Sequence, residues 1–90
     1  MNRYSVLKLE LKNGDISDLT LQPRFELLSK GTNSKDEKYR KVEYVADFKY
    51  KDTFTGKWVV EDVKGMKTDV YKLKIKFFYA QYPHYYFMEI

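Results

Sequence analysis

Two neighbouring runs of the chain, KVEYVADFKYKD (residues 41–52) and WVVEDVKG (58–65), alternate in side-chain character with a period of two. Successive residues of a strand point to opposite faces, so both runs predict β-strands. One face of the first run carries Tyr44, Ala46, Phe48 and Tyr50. One face of the second carries Trp58, Val60, Asp62 and Lys64. The intervening TFTGK is typical of a turn, and the pair is predicted to form a hairpin.

The chain before this hairpin predicts a helix and a further strand. Residues 3–12 contain good helix formers and end at an Asn-Gly pair, although alternation at Val6, Lys8 and Glu10 leaves a strand as the alternative. The apolar face of the helix would contain Tyr4, Leu7 and Leu11. Pro23 interrupts the next apolar stretch, so we place the strand at about 24–29. Residues 30–41 are polar and charged and predict a mobile hairpin loop.

The chain after the hairpin predicts a second helix and a closing strand. Thr68 is a suitable N-cap, Pro83 follows the end of the run, and apolar residues recur at helical spacing. These apolar residues are Val70, Leu73, Phe77 and Ala80. The period-two pattern in YKLKIKF leaves a strand as the local alternative. With HYYFMEI as the last strand, the order is helix, three strands, helix, strand, which predicts an α+β fold.

Composition limits the class of protein. Ninety residues supply enough apolar surface for one core, so we expect a single domain over residues 1–90. The absence of cysteine excludes a disulfide framework and cysteine-ligated zinc, and it fits a cytoplasmic location. No apolar run has the length of a membrane span, and the N-terminus lacks a signal-peptide pattern. A net charge of +4 favours a polyanionic partner.

Three side chains are candidates for catalysis. Asp62 and Lys64 are two apart in a strand and project to one side, and the hairpin would bring Asp47 beside Asp62. Two adjacent carboxylates suit Mg²⁺ or Mn²⁺, and the carbonyl of Val63 is a further candidate ligand. Such a centre can hydrolyse a phosphodiester, with Lys64 directed at the phosphate or the attacking water. In most proteins, however, an Asp-x-Lys triplet belongs to a solvated strand face. Glu61 faces the other way and is expected to be a salt-bridge or edge residue rather than a metal ligand.

Lysines are concentrated in the second helix and just before it. They are Lys67, Lys72, Lys74 and Lys76. One interpretation is a phosphate-contacting surface that binds DNA, and the other is a solvated helix face whose lysine stems cover apolar neighbours. Gln22 is expected to form a turn beside Pro23.

Several linked segments resemble one family. The runs YVADFKY, VVEDVKG and TDVYKLKIKFF, with the terminal aromatic strand and the preceding GDISDLTLQPRFELL, resemble small phage proteins of the PD-(D/E)XK nuclease superfamily. The resemblance implies a restriction-endonuclease-like αβββαβ core with a mixed sheet. It also implies that Asp47 is the first acid of the motif, Asp62 the second and Lys64 the lysine. The relatives include Holliday-junction resolvases, so the resemblance implies DNA as substrate and the bacterial host cytoplasm as location.

The sequence departs from this family at its start. Members usually carry a glutamate in a Glu-Ala-x-Arg-Tyr pattern, and this glutamate contributes to the metal site. Here Arg3 and Tyr4 match the end of the pattern, and the glutamate would fall before Met1. We therefore expect weakened metal binding, and two functions stay open. The first is a metal-dependent DNA endonuclease or resolvase, which would act as a homodimer on a symmetric junction. The second is an inactive nuclease-fold module that binds and inhibits a host replication or recombination factor.

Overall fold

A computed structural model describes residues 2–63 and 67–90. Its elements are α1 (Arg3–Lys12), β1 (Ile16–Leu21), β2 (Arg24–Leu28), β3 (Gly31–Thr32), β4 (Lys38–Tyr39), β5 (Val42–Val45), β6 (Phe48–Asp52), β7 (Trp58–Asp62), α2 (Asp69–Gln81) and β8 (Tyr85–Glu89). The chain divides into two compact units. Unit 1 contains described residues 2–23, 46–63 and 84–90, and unit 2 contains 24–45 and 67–83. None of the helices in these ranges is long and apolar enough to cross a membrane.

Unit 1 is built on a four-stranded mixed sheet. The strand order is β1-β6-β7-β8, with antiparallel pairing from β1 to β7 and parallel pairing of β7 with β8. The hairpin of β6 and β7 and the closing strand β8 are confirmed. Helix α1 precedes these strands in the chain, and α2 lies between β7 and β8 in sequence, so the predicted α+β class with a mixed sheet is found. In the described residues, seven strands rather than the predicted three lie between the two helices.

The core of unit 1 contains one face of α1 and the sheet. Leu7 is fully buried and packs in a cluster with Ile16, Tyr50 and Val59. The predicted apolar face of α1 is therefore correct at Leu7, whereas Tyr4 and Leu11 are exposed. The helix begins where predicted because the Asn2 side chain accepts a hydrogen bond from the Ser5 amide and so satisfies one of the free N–H groups of the first turn.

The prediction for the first strand of the sheet was wrong. That strand is Ile16–Leu21, whereas the predicted strand at 24–29 corresponds to β2, which pairs with β5 in unit 2. Asp18 has a positive φ of 55°, and the pairing register shifts between Ser17 and Thr20. This bulge adds a residue to the strand and disrupts the period-two pattern by which a strand is recognised.

The predicted continuous strand over residues 41–52 is two strands. β5 belongs to unit 2 and β6 to unit 1, and Ala46 and Asp47 lie between them. Tyr44, Ala46 and Tyr50 are all buried, as the alternation predicted. The alternation therefore continues through the break, and this is why the pattern did not reveal it.

Unit 2 contains a two-stranded ribbon, β2 with β5, and helix α2. The ring of Phe78 contacts those of Phe25 and Tyr44 at centroid distances of 4.9 and 5.6 Å, both edge to face. Thr68 caps α2 as predicted, accepting a hydrogen bond from the Tyr71 amide. The predicted loop over 30–41 contains the short hairpin of β3 and β4.

The predicted apolar face of α2 was wrong. The buried residues are Tyr71, Ile75 and Phe78, whereas the apolar residues assigned to the core are exposed. These are Val70, Leu73, Phe77 and Ala80. Both sets recur at helical spacing, so periodicity alone cannot choose between them. The set that contains Tyr71 and Phe78 is buried because these aromatic side chains contact the rings of the ribbon.

This assignment predicts very different losses of stability when two adjacent phenylalanines are replaced. Phe78→Ala should lower the free energy of unfolding by about 3–5 kcal/mol, because it leaves a cavity among aromatic rings. Phe77→Ala should change it by no more than about 0.5 kcal/mol, as expected for an exposed side chain. Urea unfolding followed by circular dichroism measures both. Equal losses in the two variants would contradict the assignment.

Candidate functional site

A buried carboxylate on β7 joins three elements of unit 1. Glu61 is fully buried and accepts two hydrogen bonds from Arg3 on α1, from Nε to Oε1 and from Nη2 to Oε2, both 2.6 Å long. The hydroxyl of Tyr50 on β6 also donates to Oε2. The salt bridge expected of Glu61 is confirmed, and its partner is Arg3. We call these three residues the Glu61 clamp.

The ionisation of the clamp residues follows from this geometry. The hydrogen bonds to Glu61 raise the pKa of Arg3 above its ordinary value, so the guanidinium stays charged. Burial, reinforced by the hydrogen bond to Glu61, raises the pKa of the Tyr50 hydroxyl above its usual range. Tyr50 therefore remains a hydrogen-bond donor throughout the physiological pH range. A paired, doubly hydrogen-bonded carboxylate is the form in which a buried charge is tolerated.

Asp62 follows Glu61 and projects from the opposite face of β7. It is fully buried and is the last residue of the strand. Its backbone is held at the end of the sheet, because it pairs in register with Glu89 of β8 and its carbonyl accepts a 3.0 Å hydrogen bond from the Ile90 amide.

Asp47 forms hydrogen bonds with Glu61 and Val63, the residues on either side of Asp62. Its amide donates to the carbonyl of Glu61 at 3.1 Å, and its Oδ2 accepts a 2.6 Å hydrogen bond from the amide of Val63. Asp47 lies in a bend just before β6, and its side chain is half-buried. The structure thus brings the predicted first acid against the end of β7 that carries the second.

The segment of Gln22 supports the position of Asp47, and sequence reasoning gave it no such role. The Gln22 amide donates to the Asp47 carbonyl at 2.9 Å, and the neighbouring Ala46 amide donates to the Pro23 carbonyl at 3.1 Å. Gln22 has a positive φ of 50°, which is unfavourable for a residue with a side chain. The turn expected beside Pro23 is present, but no sequence signal indicated that it would hold an acidic residue.

The predicted site residues fall into three groups. Asp47, Asp62 and Val63 lie together in unit 1, whereas Lys64 lies outside the described residues. The lysines at 67, 72, 74 and 76 belong to unit 2, so their predicted proximity to the acids stays a prediction. On α2, Lys72 and Lys76 are four apart and share an exposed face, while Lys74 is half-buried on another side.

The candidate ligands are of the type that a hard cation prefers, but they are few. Mg²⁺ and Mn²⁺ prefer carboxylate and carbonyl oxygens, which Asp47 and Asp62 supply. In the described part of the chain, no group of three or more His, Asp or Glu side chains is arranged to hold a metal ion. Among the described residues, the acidic donors proposed for a cation are thus the two aspartates, and any further ligands would be backbone oxygens, water or substrate.

The clamp predicts a strong coupling between Arg3 and Glu61. Arg3→Met alone should destabilise the protein by about 3 kcal/mol, because it leaves the buried carboxylate without its cation. In a Glu61→Gln background the same substitution should cost clearly less, giving a coupling energy of about 1–3 kcal/mol. Urea unfolding of the wild type, both single variants and the double variant closes the cycle. Additive effects would show that the ion pair contributes nothing.

Comparison with known proteins places the chain in a family. No curated protein and no solved structure matches it. One family model does match, and it spans residues 1–89, which include both units and every candidate residue named above. The chain belongs to the family described as Protein of unknown function (DUF1064).

Proposed function

We propose that this protein is a metal-dependent DNA endonuclease of the PD-(D/E)XK type, related to the phage Holliday-junction resolvases. The observation that carries the proposal is a pair of hydrogen bonds on either side of Asp62: the Asp47 amide donates to the Glu61 carbonyl, and the Asp47 carboxylate accepts from the Val63 amide. They hold two carboxylates at one end of the sheet in unit 1. A cluster of this kind is unfavourable without a compensating cation, and hydrolysis of phosphodiesters is a chemistry that such clusters support.

The topology supports the same proposal. The superfamily that the sequence resembles has an αβββαβ core, and here the acids come from the start of the second sheet strand and the end of the third. Asp47 precedes β6 and Asp62 ends β7. The resemblance suggests the reaction, and the hydrogen bonds of Asp47 to Glu61 and Val63 support the pairing of the two acids that it requires.

In the proposed site, Asp47, Asp62 and the carbonyl of Val63 would hold Mg²⁺ or Mn²⁺. The bound ion would lower the pKa of the attacking water and neutralise charge that develops on the phosphate oxygens. The chain itself orients the donors: the Val63 amide fixes one oxygen of Asp47, and the Glu61 clamp fixes the strand that carries Asp62. Lys64, which follows in the motif, is the proposed contact to the phosphate or the water.

DNA would be attracted mainly by unit 2. This unit contains ten Lys and Arg against five Asp and Glu, whereas the described residues of unit 1 contain six against eight. The excess positive charge of the chain is therefore confined to unit 2, which includes the four proposed phosphate-contacting lysines. Each phosphate that they neutralise would release counterions, so binding should weaken steeply with salt.

One observation favours the second candidate function, an inactive module that binds a host replication or recombination protein. Helix α2 exposes an apolar stripe beside its buried one, and exposed apolar surface of this kind is typical of protein interfaces. The paired acids lie in unit 1 and the apolar stripe in unit 2, so variants of the acids and variants of the stripe can test the two functions separately.

The nuclease proposal predicts that the aspartates bind metal and are needed for cleavage. Wild-type protein should bind Mn²⁺ in calorimetric titration and cut labelled linear, flapped or four-way-junction DNA in the presence of Mg²⁺ or Mn²⁺. Asp47→Asn and Asp62→Asn should each lower the cleavage rate by at least about 100-fold, the upper end of the loss seen when only outer-shell partners of a metal are changed.

The matched control for these variants is Asp18→Asn. Asp18 is an exposed aspartate in unit 1, away from the paired acids in sequence, and its substitution should leave binding and cleavage unchanged. Circular dichroism should show all three variants folded. If folded wild-type protein neither binds metal nor cuts any substrate up to about 10 mM metal, a range that reaches the weakest known Ca²⁺ sites, the nuclease proposal is wrong.

A further inference from the structure

Helix α2 carries an exposed apolar stripe that borders a groove in unit 2. Val70, Leu73 and Phe77 are 64, 55 and 50 % exposed, although their spacing of three and four residues is that of a helix face made for packing. Leu28 of β2 and Val42 of β5, which pair in register, form the opposite wall. The groove between them has a volume of about 390 Å³.

The groove continues toward positive charge. Leu27 and Leu28, which line the groove, also line a second depression that reaches Lys30 and Tyr39. Lys30 and Tyr39 in turn line a third depression, whose basic residues outnumber its acidic ones. The basic residues there are Lys30, Lys38, Arg40 and Lys41, and the acidic ones are Glu26 and Glu43. At the apolar end, half-buried Lys74 of α2 adds a cation to the rim.

Charge decides among the possible occupants. A second copy of the chain would bring two units of the same positive sign together, which costs free energy when like charges meet at an interface. Nucleic acid matches the charge, but single strands are bound by stacking of bases on aromatic faces, and the groove is walled mainly by aliphatic side chains. A protein segment with an apolar face and adjacent acidic residues matches both the apolar groove and the basic depressions beside it.

We propose that this groove binds an amphipathic, acidic helix of another protein. The stripe from Val70 to Phe77 is about 10 Å long, two helical turns, so a helix packed beside it would meet the stripe with apolar residues at i, i+3 or i+4, and i+7. Acidic residues of the same helix would face Lys74 and the basic depressions. The site lies in unit 2 and uses neither Asp47 nor Asp62.

The test is a selection from a displayed library of random 16-residue peptides on wild-type protein, with depletion on the Leu73→Glu variant. The recovered peptides should show apolar residues at helical spacing and a net negative charge. Fluorescence anisotropy then measures affinity for one such peptide and for a version with its acids replaced by lysine. The lysine version should bind at least about tenfold more weakly, a loss of about 1.4 kcal/mol.

Two exposed phenylalanines give the matched variants. Phe77→Ser should weaken binding of the acidic peptide at least about tenfold, as expected when a central aromatic anchor is removed. Phe54→Ser, which removes an 82 % exposed ring in unit 1, should leave it unchanged, as should Asp62→Asn. Val70→Ser serves as a second groove variant, and circular dichroism checks that each variant is folded.

Four outcomes would overturn the proposal. One is a selection that recovers no peptide specific for the wild type. Another is a set of peptides that bind without acidic residues, and the third is binding that Phe77→Ser and Val70→Ser leave intact. Dimerisation of the wild type that both groove variants abolish would assign the groove to a second copy instead.

Discussion

The Glu61 clamp is the interaction on which unit 1 depends. A carboxylate removed from water loses several kcal/mol of hydration, and it stays ionised in the core only where cations and hydrogen-bond donors replace that water. Arg3 supplies two donors and Tyr50 a third, so one side chain of β7 fixes the start of α1 and the middle of β6. The apolar contacts of Leu7 follow, because the clamp brings its helix against the sheet.

The clamp also separates the roles of two adjacent acids. A strand sends consecutive side chains to opposite faces, so Glu61 serves the core of unit 1 while Asp62 is directed to the other face. One face of the strand is therefore anchored by a carboxylate that is paired with a guanidinium, and the other face carries a second carboxylate. The sequence pair Glu-Asp looks like one acidic cluster, but in the fold it is one structural residue and one candidate ligand. Asp47 joins the latter through the amide of Val63.

Local signals predicted local features. The Thr68 cap, the Asn-Gly stop of α1 and the hairpin of β6 and β7 depend on neighbours within a few residues, and all three were found. Features decided by distant residues were not predictable. Glu61 was expected to form a salt bridge, but Arg3 lies 58 residues away in sequence. On α2, two stripes with the same period competed, and the rings of Phe25 and Tyr44 decided which was buried. The positive φ of Gln22 likewise depends on its tertiary setting.

The place of β8 in the sheet has a consequence for synthesis on the ribosome. β7 pairs with β8 along its whole length, and Asp62 pairs with Glu89, near the end of that last strand. Until β8 emerges from the exit tunnel, β7 is an unprotected sheet edge, and Asp62 lacks the strand beside it. The edge of β7 that carries Asp62 is therefore completed only after the last strand of the sheet has been made.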